Sequence, residues 1–79
     1  MATDQDQFDA LDDESLLRYL EEAAAKRQEH LAIGEFRGEW IAETWTDSGL
    51  AGRRAMFRAD GVDRRTAMMG LARLLAGNR

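Results

Sequence analysis

Cysteine is absent from the 79-residue chain, and histidine occurs once, as His30. The first absence excludes disulfides and most structural zinc sites, and the second excludes a His-rich metal centre. A chain this short buries only about 60% of the surface its unfolded form exposes. Domains of this size usually rely on a staple. Here stability must come from packing alone or from a second chain. No apolar run approaches the ~20 residues of a membrane span. The acidic start, MATD, has the wrong charge for a secretory signal. A cytoplasmic protein without membrane contact is expected. Also missing are a thiol nucleophile, a Gly-rich phosphate loop and any metal-spaced cluster. No enzyme, cofactor or metal is therefore expected.

What the chain does have is charge, unevenly placed. The net charge is −4, and ten of the eleven basic residues are arginine. Residues 1–15 carry six acids and no base, whereas residues 50–79 carry seven arginines against two aspartates. Two electrostatic ends of this kind can steer partners.

Residues 1–11 are acidic and lack a sustained period, so they read as a disordered acidic tail. Phe8 and Leu11 interrupt it, either as a short docking motif or as a tail that touches its own domain or nothing. Residues 12–79 read as one α+β domain. Asp12 or Asp13 is a good N-cap. From Ser15 the period is helical, with Leu16, Leu17, Tyr19, Leu20, Ala23, Ala24 and Leu31 on one arc. The helix is expected to run to near Gly34, with His30 at the rim of its apolar face. Arg27 projects from that arc, its stem on the core and its head at the edge.

EFRGEWIAETWT alternates as a strand, with Phe36, Gly38, Trp40, Ala42 and Thr44 on one face. Asp47-Ser48-Gly49 signals a turn, and GRRAMFRA reads as a second strand. A four-residue loop, 47–50, would set Glu43 opposite Arg54, Glu39 opposite Arg58 and Ile41 opposite Met56. It would also lay Trp45 over Gly52. Asp63 caps a second helix whose buried arc is Ala67, Met68, Leu71, Ala72, Leu74 and Leu75, and Gly77 is placed to end it. The architecture is α-β-β-α, or α-β-β-β-α if residues 31–37 form a separate strand turning near Gly38. Either way an antiparallel hairpin sheet packs against two helices.

This register decides which charges remain for a ligand. Glu39 and Glu43 each gain an arginine, which lowers a carboxylate pKa instead of raising it for acid catalysis. Arg54 and Arg58 then form a roughly neutral sheet face. Arg53, at the hairpin tip, has no acid opposite it in this register and is left as an anion or nucleic-acid contact. Arg64 and Arg65 oppose the dipole of the helix they open. With its free amides they form an anion or nucleic-acid site to which Arg73 contributes, unless Asp60 and Asp63 neutralise them. On the outer sheet face Trp45, Ile41 and Met56 form an apolar stripe bordered by charge, the composition of a protein interface. The plain alternative is a tryptophan covering a strand glycine. Open sheet edges invite pairing with a second copy or another protein.

WIAET on a strand, then a glycine, then Asp63-Arg64-x-x-Ala67 opening a helix that ends LARLL resemble the hairpin-plus-helix unit of small HicB-type antitoxins over residues 40–75. The antitoxin hairpin's Pro-Gly element is missing. With the preceding helix, the element order is similar to a double-stranded-RNA-binding domain, in which a basic cluster opens the last helix. Arg64-Arg65 stands at that place, and Met68 stands at the cluster's third basic position. The first resemblance implies an inhibitory protein-binding role and the second implies backbone contact with nucleic acid. Three functions are therefore carried forward. The first is a non-enzymatic protein-binding regulatory or inhibitory module, antitoxin-like or like a phage-encoded inhibitor, with a homodimer through a sheet edge as one arrangement. The others are a nucleic-acid-binding module and a structural subunit of a larger assembly.

Overall fold

The Asp12 carboxylate accepts a hydrogen bond from the Ser15 amide at 2.8 Å and caps the helix that begins at Asp13. Asp63 caps the last helix in the same way, accepting from the Thr66 amide at 2.8 Å. These bonds hold both carboxyl groups below the ordinary carboxylate range, because an amide donating to the ionised form favours it. The structure, a computed structural model, describes residues 4–77. Its elements run α1 (Asp4–Asp9), α2 (Asp13–Lys26), β1 (His30–Phe36), β2 (Glu39–Asp47), a 3-10 turn (Gly49–Ala51), β3 (Arg53–Gly61) and α3 (Arg64–Gly77). The α+β class holds, in its three-stranded form.

The first departure from expectation lies at the end of α2. Leu16, Leu20 and Ala24 are buried on the predicted arc, but the helix stops at Lys26. The Gln28 amide bonds the Ala25 carbonyl at 3.0 Å, and the Glu29 amide bonds the Ala24 carbonyl at 2.9 Å. This is a Schellman closure, in which the residue after the cap takes a left-handed conformation. Gln28 holds that place at φ 59°. Glycine is the usual signal for it, so the sequence pattern runs past the true end. Leu31 and His30 therefore belong to a strand. Arg27 caps the helix, with its guanidinium 4.8 Å above the Phe57 ring and its Nε 3.5 Å from Glu29.

The second departure is the register of the hairpin β2–β3. β1, β2 and β3 form an antiparallel meander in that order. Arg37 and Gly38, both at positive φ, make the two-residue turn between β1 and β2. The next loop is longer than expected. Residues 48–52 form it, with Gly49 and Gly52 at positive φ and the Asp47 carboxylate accepting from the Gly49 amide at 3.0 Å. Glu43 consequently opposes Arg58, not Arg54, and Ile41 opposes Asp60, not Met56. A bulge follows, so Thr44 pairs with Phe57 while Trp45 pairs with Ala55, and Met56 is the extra residue. The displacement up to the bulge is an even number of residues. Side-chain alternation has period two, so such a slip keeps Phe57 and Arg58 on their expected faces, whereas beyond the bulge Arg54, expected opposite Glu43, opposes Thr46 on the other face.

Small residues set the register. Ala42 opposes Ala59, and Trp40 opposes Gly61. α3 crosses this part of the sheet closely: a Cβ on Gly61 would lie 2.6 Å from the Ala67 nitrogen, and one on Gly70 would lie 3.0 Å from the Ala59 Cβ. Ala67, Met68, Leu71, Ala72 and Leu75 are buried beneath it as predicted, whereas Leu74 is 44% exposed. Helix α3 includes Gly77, and whatever ends it lies outside the described residues. Thr44 is the buried polar residue of this layer, and its hydroxyl has no partner among the described residues.

The third departure is the N-terminal segment. Residues 1–3 lie outside the described residues, but residues 4–9 are helical instead of disordered. Phe8 is 3% exposed and belongs to the core, with its ring 5.1 Å from that of Tyr19. Leu11 packs against the same cluster. Phe8→Ala is expected to lower the unfolding free energy by about 3 kcal/mol in urea denaturation, and a disordered tail would give no change. Gln28→Gly is expected to raise it by about 0.5–1 kcal/mol, because it relieves the left-handed position that ends α2. No gain in the same titration would remove this account of the helix end.

Candidate protein-binding face

α2 and α3 pack on the same side of the sheet, against buried Ala42 and Thr44 and half-buried Leu31, Ile33, Trp40, Phe57 and Ala59. Strand alternation sends the intervening side chains to the other side. Among the described residues no element covers that side. It carries His30, Ala32, Gly34 and Phe36 from β1, and Glu39, Ile41, Glu43 and Trp45 from β2. Arg58 and Asp60 of β3 also lie there.

Trp45 is the centre of this face, although it does not lie over Gly52. His30, its register partner on β1, stacks on it with ring centroids 4.2 Å apart and planes 24° apart. The Arg53 guanidinium lies 4.0 Å from the Trp45 ring. β1 and β3 flank β2 on opposite sides, so Trp45 stands between an imidazole and a guanidinium. The contact favours both sides of the pair, since the ring quadrupole attracts the cation. Ile41 shares the face with Trp45 and has Gly34 and Asp60 as its strand neighbours. Beside it, over Gly34, is an open depression of about 250 Å³ bounded by Ala32, Phe36, Ile41 and Glu43. Met56 does not join Ile41. The bulge carries it to the hairpin end, 41% exposed, where its sulfur lies 4.0 Å from the Thr46 hydroxyl. The expected stripe is thus two residues, Trp45 and Ile41. His30, which the helical reading of residues 30–34 concealed, and Phe36 extend it. Phe36 was expected on the face of Trp40, Ala42 and Thr44, but the turn at Arg37-Gly38 separates it from β2 and pairs it with Glu39 on the outer face. The signal that finds them is the alternation in HLAIGEF followed by the positive-φ pair Arg37-Gly38.

The anticipated neutral pairs also change. Arg58 bonds Asp60 at 3.2 Å instead of Glu39, and Arg54 opposes Thr46 instead of Glu43. Arg54 has no ion pair among the described residues.

Two of the arginines of α3, Arg65 and Arg73, are engaged by acids of the N-terminal segment. Arg65 reaches back to the N-terminal segment. Its guanidinium donates to the Asp13 carboxylate at 2.8 Å and to the carbonyls of Leu11 at 2.6 Å, Asp9 at 3.0 Å and Phe8 at 3.4 Å. These last two carbonyls end α1, where a cation is favoured by the helix dipole. Arg73 pairs with Asp9 at 3.5 Å. The acids that occupy Arg65 and Arg73 are therefore Asp13 and Asp9, because the segment expected to be disordered supplies the acceptors. Asp60 and Asp63 are engaged elsewhere, by Arg58 and by the α3 cap. Arg64 is half-buried and remains without an ion pair among the described residues.

Among the described residues no cluster of His, Cys, Asp or Glu has metal-holding geometry. Among those residues no helix is long and apolar enough to cross a membrane. No family model matches this chain, and neither a curated protein nor a solved structure matches it.

Arg65→Ala is expected to lower stability by about 2 kcal/mol, the scale of lost charge-assisted bonds, with Arg65→Lys recovering only part. Amide exchange should show residues 7–11 losing protection. Unchanged stability and protection would return Arg65 to the pool of ligand-binding charges.

Proposed function

We propose that this chain is a non-enzymatic protein-binding module, regulatory or inhibitory in kind, that acts in the cytoplasm and meets its partner with the uncovered face of the sheet. The observation carrying this reading is the one-sided helical cover. It leaves Trp45, Ile41 and Phe36 facing outward, with Glu43, Arg58 and Asp60 around them. Interfaces combine an aromatic and aliphatic centre with a polar rim in this way. Because His30 and Arg53 hold Trp45, little side-chain entropy remains to be lost on binding. Pairing of a sheet edge with a second copy belongs to the same reading.

The nucleic-acid alternative has less behind it. Arg65 and Arg73 are occupied by α1 and its neighbours, and the stacked groups leave no open Trp45 ring for a base. The element order of the double-stranded-RNA-binding domain supports that alternative only at the level of fold.

Affinity capture from the host with wild-type and Ile41→Glu chains tests the reading. Ile41 lies on the outer face, so circular dichroism and denaturation should show an intact fold. The expected result is one protein retained by wild type and weakened at least about tenfold by the substitution, as for a central anchor. Equal capture by both chains would overturn the face as the binding surface. Duplex RNA or DNA bound with a steep salt dependence would favour the alternative.

A further inference from the structure

The two edges of the meander are not alike. β3 presents Arg53, Arg54 and Arg58 within nine residues, and its ladder is broken by the bulge at Met56. Two copies meeting through β3 would bring cations together along an irregular edge. Charge and bulges of this kind are how natural sheets protect an edge. β1 has neither device. Its seven residues, HLAIGEF, pair with β2 without a register shift and include one acid, Glu35. Among the described residues no strand lies on its other side.

We infer that β1 pairs with β1 of a second copy, antiparallel about Ile33, to make a continuous six-stranded sheet. The inference rests on the protein-binding reading for its uncovered sheet, but it uses the edge and not the face. A continuous sheet requires outer-face residues to pair with outer-face residues. Registers therefore differ by steps of two, and only the one centred on Ile33 pairs all seven residues. It sets His30 opposite Phe36 of the second copy, Leu31 opposite Glu35, Ala32 opposite Gly34, and Ile33 opposite itself. No like charges are opposed.

The outer-face row then explains Phe36, which is 62% exposed. Within one chain the row runs Arg53, Trp45, His30. The next position outward is Phe36 of the second copy, so each stack gains a fourth flat group, and the two-fold axis makes two such stacks. Gly34, whose lack of a side chain creates the depression beside Ile41, receives Ala32, the smallest side chain in the strand. On the helix side Ile33, half-buried at the core margin, meets its own copy and extends the core across the axis.

Light scattering and analytical ultracentrifugation over a concentration series test this. A concentration-dependent dimer is expected. Ala32→Lys, at an exposed site, should raise its dissociation constant at least about tenfold through like charge across the axis, with Phe36→Ala acting in the same direction. Arg54→Glu on β3 should leave it unchanged. The chain has no cysteine, so single-cysteine variants report register cleanly. Ile33→Cys places the thiols opposite one another and should cross-link with a short bifunctional reagent. Glu35→Cys places them about 14 Å apart and should not. A monomer at every concentration would overturn the inference, as would indifference to Ala32→Lys or equal cross-linking by the two cysteine variants. Ile41→Glu should leave the dimer intact. A wild-type chain that stays monomeric while its capture of the host protein remains sensitive to Ile41→Glu overturns the edge alone, and a dimer whose capture is indifferent to Ile41→Glu overturns the face alone.

Discussion

The close crossing of α3 over β2 and β3 is the constraint from which the remaining structure follows. Ala42, Ala59, Gly61, Ala67 and Gly70 remove side-chain bulk where the two layers meet. At Gly61 a methyl group has no room, because the obstruction is the backbone of α3 itself. Interiors pack at crystal-like density and tolerate neither overlap nor void. The small residues of β3 must therefore lie opposite Trp40 and Ala42, and this fixes the register from the C-terminal end of the hairpin. The surplus chain is taken up at the other end, as a five-residue loop and a bulge. Met56 and Arg53 owe their positions to that surplus. Arg53 lies on Trp45 because the bulge carries the start of β3 one residue further along.

Arg65 performs a comparable task for the N-terminal segment. Phe8 alone gives α1 an apolar anchor, and a six-residue helix is far below the length at which a helix persists in water. The guanidinium closes the gap by meeting the carbonyls that end α1 together with the Asp13 carboxylate. An arginine in the first turn of a helix is unfavourable by itself. It is retained here because the acids and carbonyls it faces come from elsewhere in the chain. The misplaced charge thus marks a tertiary contact. The acidic N-terminal third and the arginine-rich C-terminal third are in part each other's partners.

These two devices also show what was legible in the sequence and what was not. Both caps, Asp12 and Asp63, were readable because capping is a local interaction spanning three residues. The buried arcs of α2 and α3 followed from their 3.6-residue period, except at Leu74. The faces of β2 followed from alternation, whereas the turn at Arg37-Gly38 reversed that of Phe36 and the bulge reversed that of Arg54. Loop length did not, because an even slip leaves alternation unchanged and opposite charges matched well in either register. The end of α2 was hidden by a glutamine in a left-handed position that normally carries glycine. Hiding that end left β1 as one of two alternatives over residues 31–37 and concealed the His30 stack. The docking of α1 was illegible because it depends on a contact between residues 8–13 and Arg65, which no local pattern records. Of the residues singled out, Trp45 and Ile41 lie on the expected sheet face, Met56 was misplaced by the register, and Arg65 and Arg73 meet acids of the N-terminal segment that no local pattern pairs with them.

The open face and the open edge have one cause. α2 and α3 are fourteen residues each, roughly 21 Å long, and three strands at about 4.8 Å spacing are not much wider than two packed helices. Among the described residues the helices cover one side of the sheet and leave the other open. A sheet covered on one side is stable in water only if its outer side is mostly polar. Glu39, Glu43, Arg58 and Asp60 meet that requirement, whereas Trp45, Ile41 and Phe36 go against it. For Trp45 the departure is reduced by stacking within the chain. Phe36 has the Arg37 guanidinium 5.2 Å from its ring and ends the edge strand that lacks protective charge. An exposed aromatic and an unprotected strand edge are separate liabilities, and natural sequences usually remove each one. Their coincidence on β1, while β3 carries both a bulge and three arginines, is the pattern expected when one edge is kept open for a partner and the other is kept closed.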